Sequence, residues 1–340
     1  MTRPPHDPTG RPAALAPNPA APARVPAALA LVVAFASACG GDVSAGSPGV
    51  GEQAAAALKA TAPGADHRAE QARARADALV ATPGPETLLA ALAQGHAEAR
   101  ELLGPHRLRY SASYSIKPRE PTRPTVDQPI QQEQQVVDDL LLAWGSSPGE
   151  PVRMHLSQKT DKGEGREVVI LDEQVYTRLA HRGWRTRALD SELHGLWLDE
   201  AQHCVHDLVE LAAPALALTV KESGDALEVT LRRADAPDPA RVAAGLGREW
   251  RHRTEITDLG GTITLARATG LWRSADLTLR YVIRDVLERP QDAEVRLTAS
   301  VEAPPATPLV IEAPPGADPV PERVRLEVEK QRLLGGLAGS

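Results

Sequence analysis

Residues 145–149 (GSSPG) match the G-x-S-x-G pattern, which in many hydrolases surrounds a nucleophilic serine. In those enzymes the serine lies on a sharp turn between a strand and a helix, where its hydroxyl group is exposed. Here Pro148 and Gly149 lead directly into another strand-like pattern, which predicts a loop between two strands. We therefore expect Ser147 not to be a nucleophile and assign no catalytic residue.

His203, Cys204, His206 and Asp207 are side-chain types that bind metal ions, and they lie close together. On a helix, His203 and Asp207 would share a face, whereas Cys204 would project about 100° away from His203. The sequence contains no second cluster with zinc-like spacing. We therefore expect no metal ligand, and interpret the segment as a helix with a solvated polar face and a buried, unreactive thiol.

The sequence has five tryptophans, which lie near predicted strand ends and loops, at positions 144, 184, 197, 250 and 272. Such residues either line a ligand cleft or fill a core, and the sequence leaves both alternatives open. No phosphate loop, dinucleotide-binding pattern, paired acid and base, or internal repeat is apparent. The sequence therefore predicts no cofactor and favours a protein that is not an enzyme.

Alternating apolar and polar residues predict strands with one face on a core and one in water. The pattern is clearest at residues 108–116, 152–157, 216–220, 227–231, 263–265, 275–281 and 295–301. Weaker candidates lie at residues 136–144, 166–180, 184–188 and 250–257. Ser223-Gly224-Asp225 and Thr269-Gly270 have the composition of hairpin turns.

Two helices are predicted before the strands, at residues 67–81 and 86–103, with Gly104 and Pro105 ending the second. A third helix is predicted within the strand region, with Asp199 as its cap, Gln202 at the capping-box position and Pro214 closing it. Its apolar face would comprise Ala201, Cys204, Val205, Leu208, Leu211 and Ala212, with His203, His206, Asp207 and Glu210 pointing away.

These elements predict a mainly β (α+β) protein with a single curved antiparallel sheet, or half-barrel, of about 10–11 strands. The helical segment occupies residues 67–104 and the half-barrel residues 105–302. Residues 303–340 form a Pro-rich tail with a short charged helix at about 322–334. Both termini of the chain are expected to be disordered.

Residues 25–38 (VPAALALVVAFASA) are apolar or small and directly follow Arg24. At 14 residues the run is shorter than the roughly 20 residues that span a bilayer, and its length is typical of a signal peptide. The tripeptide before Cys39 resembles the bacterial lipobox. That resemblance implies cleavage after residue 38 and lipid (diacylglyceryl and palmitate-like acyl groups) on Cys39. Residues 39–66, rich in Gly, Ala, Ser and Pro, are predicted to form a flexible tether.

The chain carries a formal net charge of -7. Binding to nucleic acid requires clustered Lys and Arg, so we expect no nucleic-acid partner. We expect a lipid-anchored protein of the bacterial cell envelope whose contact with the membrane is the lipid on Cys39. Gly40 next to that cysteine favours the outer membrane, with the protein facing the periplasm.

Residues 107–302 resemble the LolA/LolB-like half-open barrels, an architecture that the mycobacterial lipid-binding lipoproteins share. The segment GGTITLARATGLWRSADLTLRY, residues 260–281, carries the most local part of the resemblance. In that family the concave face is apolar and receives acyl chains. The resemblance implies that this chain binds a lipid or another apolar ligand in a cleft, although it assigns no ligand-contacting residue. The alternative is a non-catalytic scaffold or accessory subunit of an envelope protein assembly.

Overall fold

The computed structural model describes residues 65–120, 133–189, 198–241, 249–285 and 288–320. Its strands are β1 (His106–Pro118), β2 (Gln134–Trp144), β3 (Met154–Thr160), β4 (Gly165–Leu171), β5 (Gln174–Leu179), β6 (Arg185–Ala188), β7 (Leu216–Ser223), β8 (Ala226–Arg233), β9 (Glu255–Ala266), β10 (Trp272–Arg284), β11 (Pro290–Glu302) and β12 (Asp318–Pro319). They form one sheet in the order β12-β6-β5-β4-β3-β2-β1-β11-β10-β9-β8-β7.

The predicted fold class is confirmed: the chain is mainly β, with one curved, unclosed sheet and a few helices. Eleven strands pair antiparallel, whereas the two-residue strand β12 pairs parallel with β6 and makes the sheet mixed. The candidate at residues 166–180 forms the two strands of a hairpin, β4 and β5. The candidate at 250–257 is wrong as a separate strand, because Glu249–Arg253 is a 3-10 turn that leads into β9.

One face of the sheet, here called the inner face, carries the buried side chains. In β1, Leu108, Tyr110 and Ala112 are buried, whereas Arg109 and Ser111 between them are exposed. Successive side chains of a strand project to opposite faces, so the predicted alternation directly gives the direction of each side chain.

The helices are α1 (Ala65–Ala81), α2 (Pro85–Leu92), α3 (His96–Leu103) and α4 (Cys204–Ala212), and residues 198–202 are also helical. The prediction of one helix over 86–103 is wrong, because it breaks before Gly95, the residue that precedes α3. There the backbone N–H of His96 donates to Oδ1 of Asp199 at 3.0 Å. A residue more than a hundred positions away therefore caps α3.

The predicted cap of the mid-chain helix is consequently wrong. Asp199 lies inside the helical stretch 198–202, and His203 precedes α4 without a side-chain cap. Gln202 is buried and its backbone carbonyl oxygen accepts a hydrogen bond from the indole of Trp272. Pro214 does lie just beyond the end of α4, in a 3-10 turn.

The core forms where the helices pack on the inner face. Leu79 of α1, Leu88 of α2 and Leu208 of α4 belong to the same buried cluster as the inner-face residues Leu156 and Leu277. Burying one leucine side chain stabilises the fold by about 1.5–3 kcal/mol. Among the described residues, no helix is long and apolar enough to cross a bilayer.

Candidate functional site

A row of side chains crosses the inner face from a covered part to an uncovered part. Tyr110 lies opposite Leu140, Leu140 opposite Gln158, Gln158 opposite Arg166, and Arg166 opposite Leu179. Directly opposed residues of antiparallel strands project from the same face. Tyr110 is 8% exposed, Gln158 and Arg166 are half-buried, and Leu179 is 57% exposed. We call Gln158, Arg166 and Leu179 the open corner.

A hydrogen-bonded polar cluster lies beside the open corner, on the inner face. Oδ2 of Asp138 accepts hydrogen bonds from the Tyr110 hydroxyl at 3.2 Å and from Nε2 of Gln158 at 2.8 Å. Oδ1 of Asp138 is buried and has no hydrogen-bond partner among the described residues. A ligand that donates a hydrogen bond would satisfy this oxygen, since buried polar atoms are almost always hydrogen-bonded.

Burial raises the pKa of Asp138, although the hydrogen bonds from Gln158 and Tyr110 and the charge of Arg166 act in the opposite direction. Burial also raises the pKa of the Tyr110 hydroxyl, and the charge of Asp138 adds to this effect. Tyr110 is therefore a neutral hydrogen-bond donor at neutral pH. The cluster can therefore position a polar group of a ligand.

Arg166 of the open corner forms an ion pair with Glu200, which the helical stretch 198–202 places over the sheet. The guanidinium donates to Oε2 of Glu200 at 2.5 Å, and the two side chains are 23% and 10% exposed. Burial raises the pKa of Glu200, whereas the charge of Arg166 and the hydrogen bond from it lower that pKa. The ion pair therefore holds the Arg166 guanidinium in one orientation at the edge of the core.

A pocket of about 370 Å³ adjoins the open corner and includes all three of its residues in the lining. The remaining lining comes from the end of β3, the β3–β4 turn, the start of β4, and the end of β5 with the residues after it, and it is mostly polar or charged. Pockets for small ligands have volumes of about 300–1,000 Å³. The pocket is thus large enough for a small molecule or for part of a lipid.

Apolar side chains lie toward the same end of the strands. Tyr114 and Ile116 lie on the inner face of β1 beyond Tyr110, and both are half-buried rather than fully covered. Val136 lies opposite Tyr114 and is also half-buried. Neighbouring strands are about 4.8 Å apart, so β1 and β3 are separated by about 10 Å. Partly exposed apolar and polar groups therefore occupy the same end of the inner face.

The opposite end of β1 and β2 is closed. The His106 ring stacks on Trp144 with centroids 6.5 Å apart, and the Arg100 guanidinium lies 5.9 Å from the centroid of the same indole. The Trp144 indole N–H donates to the carbonyl oxygen of Ser146 at 3.0 Å. Burial lowers the pKa of His106, which favours the neutral ring. This end of the sheet functions as core.

Residues 145–153 connect β2 to β3 and form the predicted loop. Ser146 is buried; its hydroxyl donates to the Pro151 carbonyl oxygen at 2.8 Å and accepts from the Arg153 N–H at 2.6 Å. The N–H of Ser147 donates to the carboxylate of Glu150 at 2.9 Å. Both serines therefore make contacts within the loop, and no helix follows Ser147 as a nucleophile elbow requires.

The predicted solvated face of the mid-chain helix is wrong in part. Asp207 is only 7% exposed, and Glu210 accepts a hydrogen bond from the buried Arg251 at 2.7 Å. Burial raises the pKa of the Cys204 thiol, so this group is a poor thiolate. His203 and His206 lie with ring centroids 5.6 Å apart. In the described part of the chain, there is no group of three or more His, Cys, Asp or Glu side chains that could hold a metal ion.

The tryptophans divide between core and surface. Trp144 and Trp272 are buried, each with its indole N–H bonded to a backbone carbonyl oxygen, and Trp250 packs partly buried against the core. The Arg178 guanidinium lies 4.8 Å from the centroid of Trp184. Trp197 lies outside the described residues, as do Cys39, the predicted signal peptide and the helix predicted at 322–334.

The sequence interpretation missed the open corner and the polar cluster. In β2, Asp138 and Asp139 both alternate with apolar residues, because the chain reads VVDDLL over residues 136–141. Arg166 and Glu167 do the same in β4, which reads REVVIL over residues 166–171. Periodicity therefore signals charged residues within two apolar strands, and strand pairing decides that Asp138 and Arg166 are the ones on the inner face.

Comparison with known proteins gives little further information. No protein-family model matches the chain, and no curated protein matches it. One solved structure, described as a beta-barrel-like protein of a domain of unknown function (DUF1849) from Brucella abortus, matches 59% of this chain and 98% of its own. The identity is 11% and the TM-score 0.15, so the fold given above rests on the strand pairing of this chain alone.

Proposed function

We propose that the chain is a lipid-anchored protein of the bacterial cell envelope that binds a lipid or another apolar ligand at the open corner. The anchor would be the lipid on Cys39, after the apolar run at residues 25–38, and the protein would face the periplasm from the outer membrane. The binding role is non-catalytic.

The main support for ligand binding is the increase in side-chain exposure along the inner-face row from Tyr110 to Leu179. Tyr110 and Leu140 are buried in the same core cluster as the helices, whereas Leu179, on the same face, is 57% exposed. Leu179 and Val310 are the exposed large hydrophobic residues in the described part of the chain. An acyl chain that covered Leu179, Tyr114 and Ile116 would complete the burial of this face, since removing apolar surface from water is favourable.

Ligand extraction tests this proposal. Purified native protein would be extracted with organic solvent, and the extract analysed by mass spectrometry for a stoichiometric lipid. The matched variant Leu179→Asp should retain less of it, because a charge replaces the exposed apolar contact, whereas Val310→Asp should retain the same amount. A native protein that yields no lipid, and binds none when lipid is added, would contradict the proposal.

The localisation part has its own test. Cys39→Ala removes the only proposed attachment, so the variant should leave the membrane fraction while keeping its fold. A Cys204→Ala variant is the control, because that thiol lies in the described body and should not be lipidated. Retention of the Cys39→Ala chain in the membrane fraction would exclude lipid at this position as the anchor.

The second candidate function is a scaffold or accessory subunit of an envelope assembly. The observation that favours it is that α1, α2 and α4 pack into the core cluster of the sheet with side chains such as Leu79 and Val205, both 0% exposed. A body packed in this way would act through its surface. Co-purification of a stoichiometric protein partner, together with absence of lipid, would favour this role.

A further inference from the structure

We propose that the segment from the end of β5 into β6 binds the phosphate group of an anionic lipid, which deepens the proposed function and rests on it. Residues 178–187 (RLAHRGWRTR) contain four arginines and no acidic residue, in a chain of net charge -7. The segment includes Leu179 of the open corner, so apolar and cationic groups are adjacent. That combination matches an amphiphile with an anionic head.

Two pockets meet at this segment. The pocket of about 370 Å³ described above shares Leu179 and Arg182 with a second pocket of about 450 Å³, whose lining also includes Thr177, Gly183 and Arg185. Among the described residues that line the second pocket, Arg182 and Arg185 are charged and none is acidic, so this lining carries positive charge. The first lining also contains acidic residues, which makes the second pocket the better site for an anion.

The ion pairs show which cations are available to a ligand. Arg178 is engaged with Glu167 at 2.8 Å and with the Trp184 ring. Arg185 contacts Asp318 at 3.4 Å, but both side chains are more than half exposed, so the pair is weak. Arg182 has no ion-pair partner among the residues that the structure describes.

The donors in this pocket suit a phosphate. A guanidinium group presents planar N–H pairs that bind phosphate oxygens bidentately, and such charge-assisted hydrogen bonds are about twice as strong as neutral ones. Thr177 adds a hydroxyl donor on the inner face of β5, since it lies opposite the inner-face residue Val168. The phosphate would bind at Arg182 and Arg185, while the acyl chain would extend over Leu179.

Calorimetric titration of the full Cys39→Ala chain with short-chain lipids tests the inference. We expect dihexanoylphosphatidylglycerol to bind about tenfold more tightly than dihexanoylphosphatidylcholine, a difference of about 1.4 kcal/mol. Arg182→Ala/Arg185→Ala should abolish this preference. Arg109→Ala/Arg232→Ala is the matched control, because it removes the same charge from two exposed positions elsewhere in the sheet and should keep the preference.

Each other outcome has a defined meaning. Equal affinity for the two lipids, or a preference that survives Arg182→Ala/Arg185→Ala, would overturn the inference. Inorganic phosphate that binds as tightly as phosphatidylglycerol would overturn the assignment to a lipid. Uncharged monooctanoylglycerol separates lipid binding from phosphate binding. If monooctanoylglycerol binds but phosphatidylglycerol is not preferred over phosphatidylcholine, only the phosphate site is overturned. If none of these lipids binds, the proposed function fails as well.

Discussion

Replacement of Arg166 by methionine should destabilise the protein strongly at neutral pH. The substitution keeps most of the side-chain length but leaves the Glu200 carboxylate, whose side chain is 10% exposed, without its cation. Breaking a buried ion pair from one side costs about 3–5 kcal/mol. Because the Arg166 side chain is still 23% exposed, we expect the lower end, about 3 kcal/mol at pH 7.5.

The stability that Arg166→Met loses should depend on pH. Burial already raises the folded-state pKa of Glu200, and loss of Arg166 raises it further. A carboxyl group whose pKa is higher in the folded than in the unfolded protein stabilises the folded state most at a pH below its unfolded-state pKa of about 4.3. That contribution is lost as the pH rises through the folded-state pKa. The deficit of the variant should therefore be small near pH 4 and grow toward pH 7.5.

Urea unfolding of the parent and variant at both pH values measures this effect. Arg178→Met is the matched control: this arginine of β5 pairs with Glu167 of β4 but is 40% exposed, and such pairs contribute about 0–1 kcal/mol. Arg166→Met/Glu200→Leu should recover most of the loss, because it removes both charges. A cost below about 1 kcal/mol at pH 7.5, or one that does not change with pH, would refute the reasoning.

Three further substitutions test the packing. Ser146→Ala should cost about 1–3 kcal/mol in urea unfolding, because it removes two hydrogen bonds of the buried Ser146 hydroxyl, whereas Ser147→Ala should change stability by less than about 0.5 kcal/mol. Gly261→Ala should prevent folding, seen as loss of soluble protein, because the new Cβ would lie 2.1 Å from a backbone oxygen of β10. Gly224→Ala is its control: the new Cβ would meet no atom within 4 Å, so the variant should lose only the about 1–2 kcal/mol that a left-handed alanine costs. Trp272→Phe should lower the thermal midpoint, since it leaves a buried carbonyl oxygen unpaired; an unchanged midpoint would contradict that hydrogen bond.

The strands could be predicted because their pattern is local. Leu108, Tyr110 and Ala112 alternate with polar residues, and alternation alone fixes both the element and its inner face. The helix break before Gly95 could not be predicted in the same way. The carboxylate that caps α3 belongs to Asp199, and only the folded chain brings that residue to His96.

The polar cluster shows the same division between local and long-range information. The sequence of β2 does not decide whether Asp138 or Asp139 faces inward, and the pairing of β2 with β1 and β3 places Asp138 beside its partners Tyr110 and Gln158. The ion pair of Arg166 depends further on the helical stretch that carries Glu200. Periodicity therefore identifies inward-facing side chains in a strand that alternates, such as β1, whereas the polar cluster and its partners require the fold.

The distribution of polar residues on the inner face also separates packing from binding. A core that only needed stability would have apolar residues at the positions of Asp138, Gln158 and Arg166, since replacing buried ion pairs by well-packed apolar groups is often neutral or stabilising. Instead the polar groups lie between the buried residues of the inner face, such as Leu140, and the exposed Leu179. Burial raises the pKa of Asp138, so its carboxylate is retained at a cost to stability. This carboxylate lies beside the open corner, and for that reason we assign the ligand to this end of the sheet rather than to its closed end at Trp144.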